Sequence, residues 1–335
     1  FWLISQMINS MEIYQQMVKQ PLQNGSVSLR LYPCPGTAPE QINELRSEAA
    51  IAERVGYDGV MVSEHHAGFP GYLPNPLQLA SFLLAATEGI WVAPCPLLLP
   101  LKAKALIAEE IAWLSSAFPG RLGVGFAAGA LPVDFELAEV PFDEINPRFK
   151  KALPWVIKTL RGSPEGPLSN DLSIQNCLSN PVSMVIAAQS SQACIRAAKL
   201  DCGVLFDSLQ APSVSRNLSR RYKEAGGLGP VILIRRVWIG NPPKSAIEAQ
   251  MRHYHSYANE RAKANWSPGD STIIAQDGEQ AASQLLEVLR ESECDTVNVR
   301  VHVAGLESGQ IREQLLKHEE GFLPVLKNEL SERSA

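Results

Sequence analysis

The chain predicts an α/β fold: a single (β/α)8 TIM-barrel domain with an insertion between its fourth and fifth strands. Three observations predict it. Short apolar runs and amphipathic helical segments alternate eight times from Ser26 onward, the pattern of parallel strands joined by crossover helices. At 335 residues the chain is of a length such barrels reach as one unit, and no internal repeat or low-complexity linker divides it. The second apolar run, Val60-Met61-Val62, stops without a spacer at Ser63-Glu64-His65-His66. Polar residues at the carboxyl end of a buried parallel strand lie where such barrels bind ligands, so the site is expected there.

In order, strand one is 27–31, and Pro33, Pro35 and Gly36 enforce a loop after it. Pro39 opens a helix to about 55, with Ile42, Leu45, Ala49 and Ala52 at helical spacing. Gly56-Tyr57-Asp58-Gly59 turns into strand two. Residues 68–75 form a Gly/Pro/aromatic loop long enough to shape a pocket mouth, and Pro76 starts the helix 77–87. Strand three, 90–93, runs into Pro94-Cys95-Pro96, and helix 103–117 follows. Strand four, 121–125, ends in Phe126-Ala127-Ala128-Gly129, small residues where backbone can approach a flat ligand. A helix lies within 143–162, and 163–180 is a polar surface insertion. Strand five, 182–187, leads through Ala188-Gln189-Ser190-Ser191 into an Ala-rich helix. Strands six, seven and eight are 203–206, 231–238 and 296–303, with helices at 212–225, 245–262, 279–293 and 311–330. The barrel domain is expected over 26–330, with a tail at 331–335. Residues 1–25 fit the alternation poorly, lack signal-peptide features, and are expected to form a poorly ordered extension to which no function is assigned.

Composition narrows the function classes. Hydrophobic residues make up 45% of the chain and charged ones 19%, enough for a large core. The net charge of -5, with no Lys/Arg block, argues against nucleic acid as a partner. No apolar run reaches the ~18 residues of a membrane span. The six cysteines form no Cys-x-x-Cys and no zinc-type spacing, so they read as buried thiols of a cytoplasmic protein, and no metal ligand is assigned.

Several residues stand out as candidates. In an extended segment neighbouring side chains diverge, so one of His65 and His66 should face the site, with Glu64 beside it. At Ala188-Gln189-Ser190-Ser191, free N–H groups and hydroxyls at a helix start suit a phosphate, while plain N-capping by serine explains the same residues. In the run 298–303, alternation puts Asn298, Arg300 and His302 on one inward face and the valines on the other. Arg300 and His302 are candidates for substrate contact; a polar layer satisfied within the barrel is the alternative. The helix bearing His253, Tyr254, His255 and Tyr257 reads as a solvated or packing face, and His318, beside Glu319 and Glu320, as exposed. Trp91, Trp113 and Trp155 read as packing residues.

Gly56-Tyr57-Asp58-Gly59-Val60-Met61-Val62-Ser63-Glu64-His65-His66 resembles the Glu-His-His segment of the bacterial luciferase-like, flavin-dependent monooxygenase family. Leu97-Leu98-Leu99-Pro100 with Glu109-Glu110, then Gly120-Arg121-Leu122-Gly123-Val124-Gly125, resembles that family's next block. Val185-Ile186-Ala187-Ala188-Gln189-Ser190-Ser191 resembles its later strand and phosphate turn, so the likeness runs from about Ser26 to Leu326. The resemblance implies a barrel that binds reduced FMN, or in some members the deazaflavin F420, at its strand ends. His65 would then handle protons beside the flavin. Ala93, Cys95 and Ala127 would lie at the ring, with a bulge and a cis peptide expected at Cys95-Pro96, and Ala188 to Ser191 would hold the phosphate. One departure is that Ala127 and Ala128 stand where the family often places an Arg on that phosphate. O2 and a small organic molecule would be substrates, a separate reductase would supply reduced flavin, and a homodimer is compatible. The alternatives are an F420-dependent oxidoreductase, a metal-dependent hydrolase using His65, His66 and His302, and a barrel that has lost flavin.

Overall fold

The structure, a computed structural model, describes residues 19–258, 260–267 and 271–334. Ten strands are β1 (Val27–Arg30), β2 (Gly59–Val62), β3 (Trp91–Pro94), β4 (Leu97–Leu98), β5 (Gly123–Ala127), β6 (Ser183–Ala187), β7 (Gly203–Phe206), β8 (Val231–Ile239), β9 (Ile273–Ala275) and β10 (Thr296–Arg300). Every pairing among them is parallel. The order is β3-β2-β1-β10-β8-β7-β6-β5-β4, with β9 added to the end of β8. β3 and β4 are two halves of one stave, separated by the Cys95-Pro96 bond, which is cis as expected. β4 pairs with β5, and Val92 in β3 bridges to Leu122, so this split stave closes the ring into an eight-stave barrel.

The helices that matter for the site are α1 (Ala38–Val55), α2 (Pro76–Ala85), α3 (Lys104–Ala117), α4 (Pro132–Leu137), α5 (Ile145–Leu160), α6 (Leu172–Asn176), α7 (Ser191–Lys199), α8 (Pro212–Glu224) and α9 (Lys244–Tyr257). α10 (Glu260–Ala264), α11 (Gly278–Ser292), α12 (Ser308–Lys317) and α13 (Phe322–Ser334) complete the chain. The expected insertion folds as a 3-10 turn over Gly166–Asn170 and the short α6. β9 was not expected, and it extends β8 beyond the barrel.

Strand alternation sorts the core into two compartments. Val27, Leu29, Val297 and Val299 face outward into one large cluster shared with the helices. Met61, Trp91, Ala93, Cys95, Val185, Leu205 and Ile232 fill the barrel interior. Two glycines make that interior possible. A Cβ on Gly59 would lie 2.0 Å from the Trp91 ring, and one on Gly125 would lie 2.1 Å from Cys95 Sγ. Leu22, 1% exposed, belongs to the same interior cluster and packs against Gly123. The barrel thus recruits residues before 26, whereas 1–18 of the expected extension lie outside the described residues.

Trp91 is buried as expected, but Trp113 is 57% exposed and donates to Asp171 instead of packing. All six cysteines are free and buried. Among the described residues no helix is long and apolar enough to cross a membrane.

His318 is fully buried, contrary to its polar context. α12 ends at Lys317, so the turn that exposes Glu319 and Glu320 swings the imidazole inward onto Phe322, with Nδ1 2.6 Å from the Tyr57 hydroxyl. Burial pushes its pKa down to about 3. The unfolded chain takes up this proton near pH 6.5, so stability should fall by about 1.4 kcal/mol per pH unit as pH drops from ~6.5 toward that folded value. His318→Asn should show a shallower acid limb in urea midpoints measured between pH 7 and pH 4. Parallel limbs for variant and parent would refute this assignment.

Candidate active site

The carboxyl ends of the staves converge on a mouth closed by aromatic side chains. His65 follows β2, and its Nδ1 lies 2.9 Å from Asp134 Oδ2 of α4. The other oxygen of Asp134 accepts the His66 backbone N–H at 2.8 Å. Asp134 is 1% exposed, so its carboxylate is spent on holding this one segment. With Nδ1–H donated to it, Nε2 is the ring nitrogen of His65 left to exchange protons. The two imidazoles diverge as strand geometry requires. His66 Nε2 turns back to Glu64 Oε1 at 3.2 Å, and that bond is the largest cause of its raised pKa.

Glu64 does not face the mouth freely. It is 1% exposed, its Oε2 accepts the Leu98 N–H at 2.6 Å, and Lys102 Nζ lies 3.8 Å from Oε1. It ties the end of β2 to the second half of the split stave, the work of a positioning residue.

Below the mouth lie buried guanidiniums: Arg236, over the Tyr254 ring at 5.5 Å, and the pair Arg30 and Arg300. Arg30 donates to Asn298 Oδ1 at 2.6 Å, to the Cys95 carbonyl at 3.0 Å and to Ser63 Oγ. Arg300 donates to the His302 carbonyl at 3.0 Å and to the Tyr254 hydroxyl at 2.8 Å, and stacks over the Tyr32 ring at 4.2 Å. Neither has a carboxylate partner among the described residues, so the interior carries net positive charge beneath the strand ends. Arg300 and Arg30 are among the causes that hold the Tyr32 hydroxyl below its ordinary pKa despite its burial.

The cap comes from elements whose role the sequence does not reveal. Tyr72 and Phe69 of the loop after β2 pack on His65, with ring centroids 4.5 and 5.0 Å away. From α9, His253 and Tyr257 meet Phe69 at 5.4 and 5.3 Å, while Tyr254 reaches down to Arg300. The face expected to be bland is therefore the lid of the barrel, and the cavity it leaves beside Tyr32 and Arg300 is about 10 Å³.

The remaining expected residues fall in place less uniformly. Ala93 and Cys95 line the interior, and burial pushes the Cys95 thiol up to about 12, which disfavours its nucleophilic thiolate form. Ala127 is half-buried at the end of β5. The Ala188 methyl sits in the outer core, which leaves only its backbone to face a ligand. Ser190 caps α7 by accepting the Ala193 N–H at 3.3 Å, and Gln189 and Ser191 are exposed. The first N–H groups of α7, at Ser191 and Gln192, are those a helix leaves without intrahelical acceptors. His302 is 3% exposed and its Nε2 faces Cys34 Sγ at 3.3 Å, not His65 or His66. The hydrolase arrangement of three histidines is thereby excluded, since His65 and His66 each engage a different carboxylate.

Comparison with known proteins decides the family. The model for luciferase-like monooxygenases matches residues 25–323. The chain belongs to this family. It is 36% identical over 102 residues to 3,6-diketocamphane 1,6-monooxygenase of Pseudomonas putida, covering 30% of this chain and 27% of that protein. It is 29% identical over 113 residues to the alkanal monooxygenase alpha chain of Photorhabdus laumondii, covering 34% and 32%. These alignments span less than a third of either relative.

Solved structures share the luciferase-like barrel over nearly the whole chain. The FMN complex of the oxygenating constituent of 3,6-diketocamphane monooxygenase superposes with a TM-score of 0.69 at 17% identity, covering 90% of this chain and 98% of that one. An F420-dependent secondary alcohol dehydrogenase, in complex with an F420-acetone adduct, gives 0.69 at 15% identity, covering 91% and 99%. The family is thus flavin- or deazaflavin-dependent, and its members include both types of chemistry.

Proposed function

We propose that this protein is a flavin-dependent monooxygenase that uses reduced FMN and O2 on a small carbonyl compound, a ketone or an aldehyde. The observation that carries the reading is the His65–Asp134 pair at the end of β2, in a chain of this family. The carbonyl class follows from the relatives named for diketocamphane and alkanal oxidation. A separate reductase would deliver the flavin, because no GxGxxG turn for a nicotinamide dinucleotide occurs in the sequence.

The donor set fits a flavin. Two buried guanidiniums without carboxylates suit an anionic group, and the start of α7 suits a phosphate. When bound, reduced flavin would supply the electrons that activate O2. Asp134 would hold His65 in the tautomer that keeps Nε2 available, and Nε2 would move a proton at the reacting centre. Tyr72, Phe69, Tyr254 and Tyr257 would exclude water from it. A ligand-sized site needs about 300 Å³ or more, so α9 and the loop after β2 would have to swing out to admit the ring.

F420 is the second reading, favoured by Ala127 and Ala128 in place of a phosphate-binding Arg and by the F420-dependent neighbour. Titrating anaerobic protein with reduced FMN and reduced F420 in parallel separates the two. Tight binding of FMN only, followed by oxygen-dependent conversion of a ketone or aldehyde, is the expected result. Binding of F420 only, with oxygen-independent hydride transfer, would replace the proposal, and binding of neither would remove it.

A further inference from the structure

Beside the mouth, a second group of side chains is left unexplained by any flavin chemistry. Glu48 lies on the inner face of α1 and is 1% exposed, yet neither of its carboxylate oxygens has a hydrogen-bond partner. A buried carboxyl group with neither oxygen partnered is destabilising unless something binds it. Cys34, in the loop before α1, is 4% exposed, and His302, just beyond β10, is 3% exposed. Cys34 Sγ is 3.3 Å from His302 Nε2, and one ligand atom from each of the three residues falls within 4.8 Å of the others.

We propose that Cys34, Glu48 and His302 form a binding site for one zinc-class divalent cation, with water as the fourth ligand. The donor types suit it: thiolate, imidazole and carboxylate are the zinc ligands, and they disfavour magnesium or calcium. So does the geometry. Tetrahedral zinc, with bonds of about 2.0–2.3 Å, separates its ligand atoms by roughly 3.5 Å. The Cys34–His302 distance of 3.3 Å is already close to that edge, and Glu48, within 4.8 Å of both, needs at most a small side-chain rotation to join them.

Charge balance points the same way. Zinc binding would displace one proton each from the Cys34 thiol and the Glu48 carboxyl to solvent, so that a thiolate and a carboxylate neutralise the dication. The neighbouring Glu44 is already engaged with Arg312. Around the ligands, Gln41 Nε2 donates to the Cys34 carbonyl at 2.9 Å and Arg300 Nε donates to the His302 carbonyl at 3.0 Å. The ion would therefore pin α1, the loop after β1 and the end of β10 to one another, and through His302 fix the arginine that stacks on Tyr32.

The test uses the full chain, stripped with a chelator and titrated with Zn2+ against a chromophoric competitor, and in parallel with Co2+. One equivalent of zinc bound with submicromolar affinity is expected, and Co2+ should develop a thiolate-to-metal charge-transfer band with tetrahedral d–d absorption. Cys34→Ser should abolish that band, and Glu48→Gln should weaken zinc at least 100-fold. Far-ultraviolet circular dichroism of each variant establishes that it is folded. Stoichiometry below a tenth of an equivalent in the folded parent chain would overturn the proposal. So would a charge-transfer band that survives in Cys34→Ser, which would assign the metal to another cysteine.

Discussion

His65→Ala is expected to lower turnover by about 10²–10⁴-fold while leaving reduced-flavin affinity within a few-fold, the span a positioned proton-transfer group contributes. Asp134→Asn should move the same rate in the same direction. Its carboxylate both accepts from Nδ1 and holds the His66 backbone, so the amide would lose the charge that stabilises a protonated ring and release the segment carrying it. The discriminating measurement is single-turnover oxidation of a ketone or aldehyde together with reduced-flavin binding. Loss of rate with binding intact assigns His65 to chemistry. Equal loss of both would make it a flavin-contact residue, and loss of neither would leave the site without its proton carrier. Glu64→Gln offers the contrast: its oxygens serve Leu98 and His66, so the effect should appear first as lowered stability around β4.

Gly59→Ala should be the most destabilising single methyl in the barrel, costing about 3 kcal/mol or more. The added Cβ would meet three Trp91 ring atoms at 2.0, 2.3 and 2.4 Å, and Trp91 is fully buried, so neither strand nor ring has room to yield. The urea midpoint reports the cost directly. Trp91→Leu in the same chain should recover part of it, because the smaller side chain vacates the contact. A Gly59→Ala protein as stable as its parent, or no recovery in the double variant, would show that the ring is not what requires glycine here.

Much of the fold is legible in the sequence because period-two and period-3.6 patterns act locally. The valines of β10 and the apolar run of β2 announce strands, and the polar residues after Val62 announce the active end of the barrel. The Cys95-Pro96 cis bond was expected only through family likeness. Asp134 was not legible. It sits in the first turn of α4 behind Pro132, where an acid is ordinarily read as helix capping, and only closure of the barrel brings it to His65 across 69 residues of chain. Nor was the lid. Nothing local distinguishes the tyrosines of α9 from a packing face, and their partners Phe69 and Arg300 come from the loop after β2 and from β10.

By itself the sequence determined the alternation of strands and helices, the stave that carries Glu64, His65 and His66, and the inward direction of Asn298 and Arg300. Each of these follows from side-chain periodicity within one segment. Tertiary structure alone decided which carboxylate orients which imidazole, that His302 turns to Cys34 and Glu48, and that His318 is buried. These depend on distances between segments far apart in the chain, which are set when the barrel closes and its interior charges must each find a neighbour.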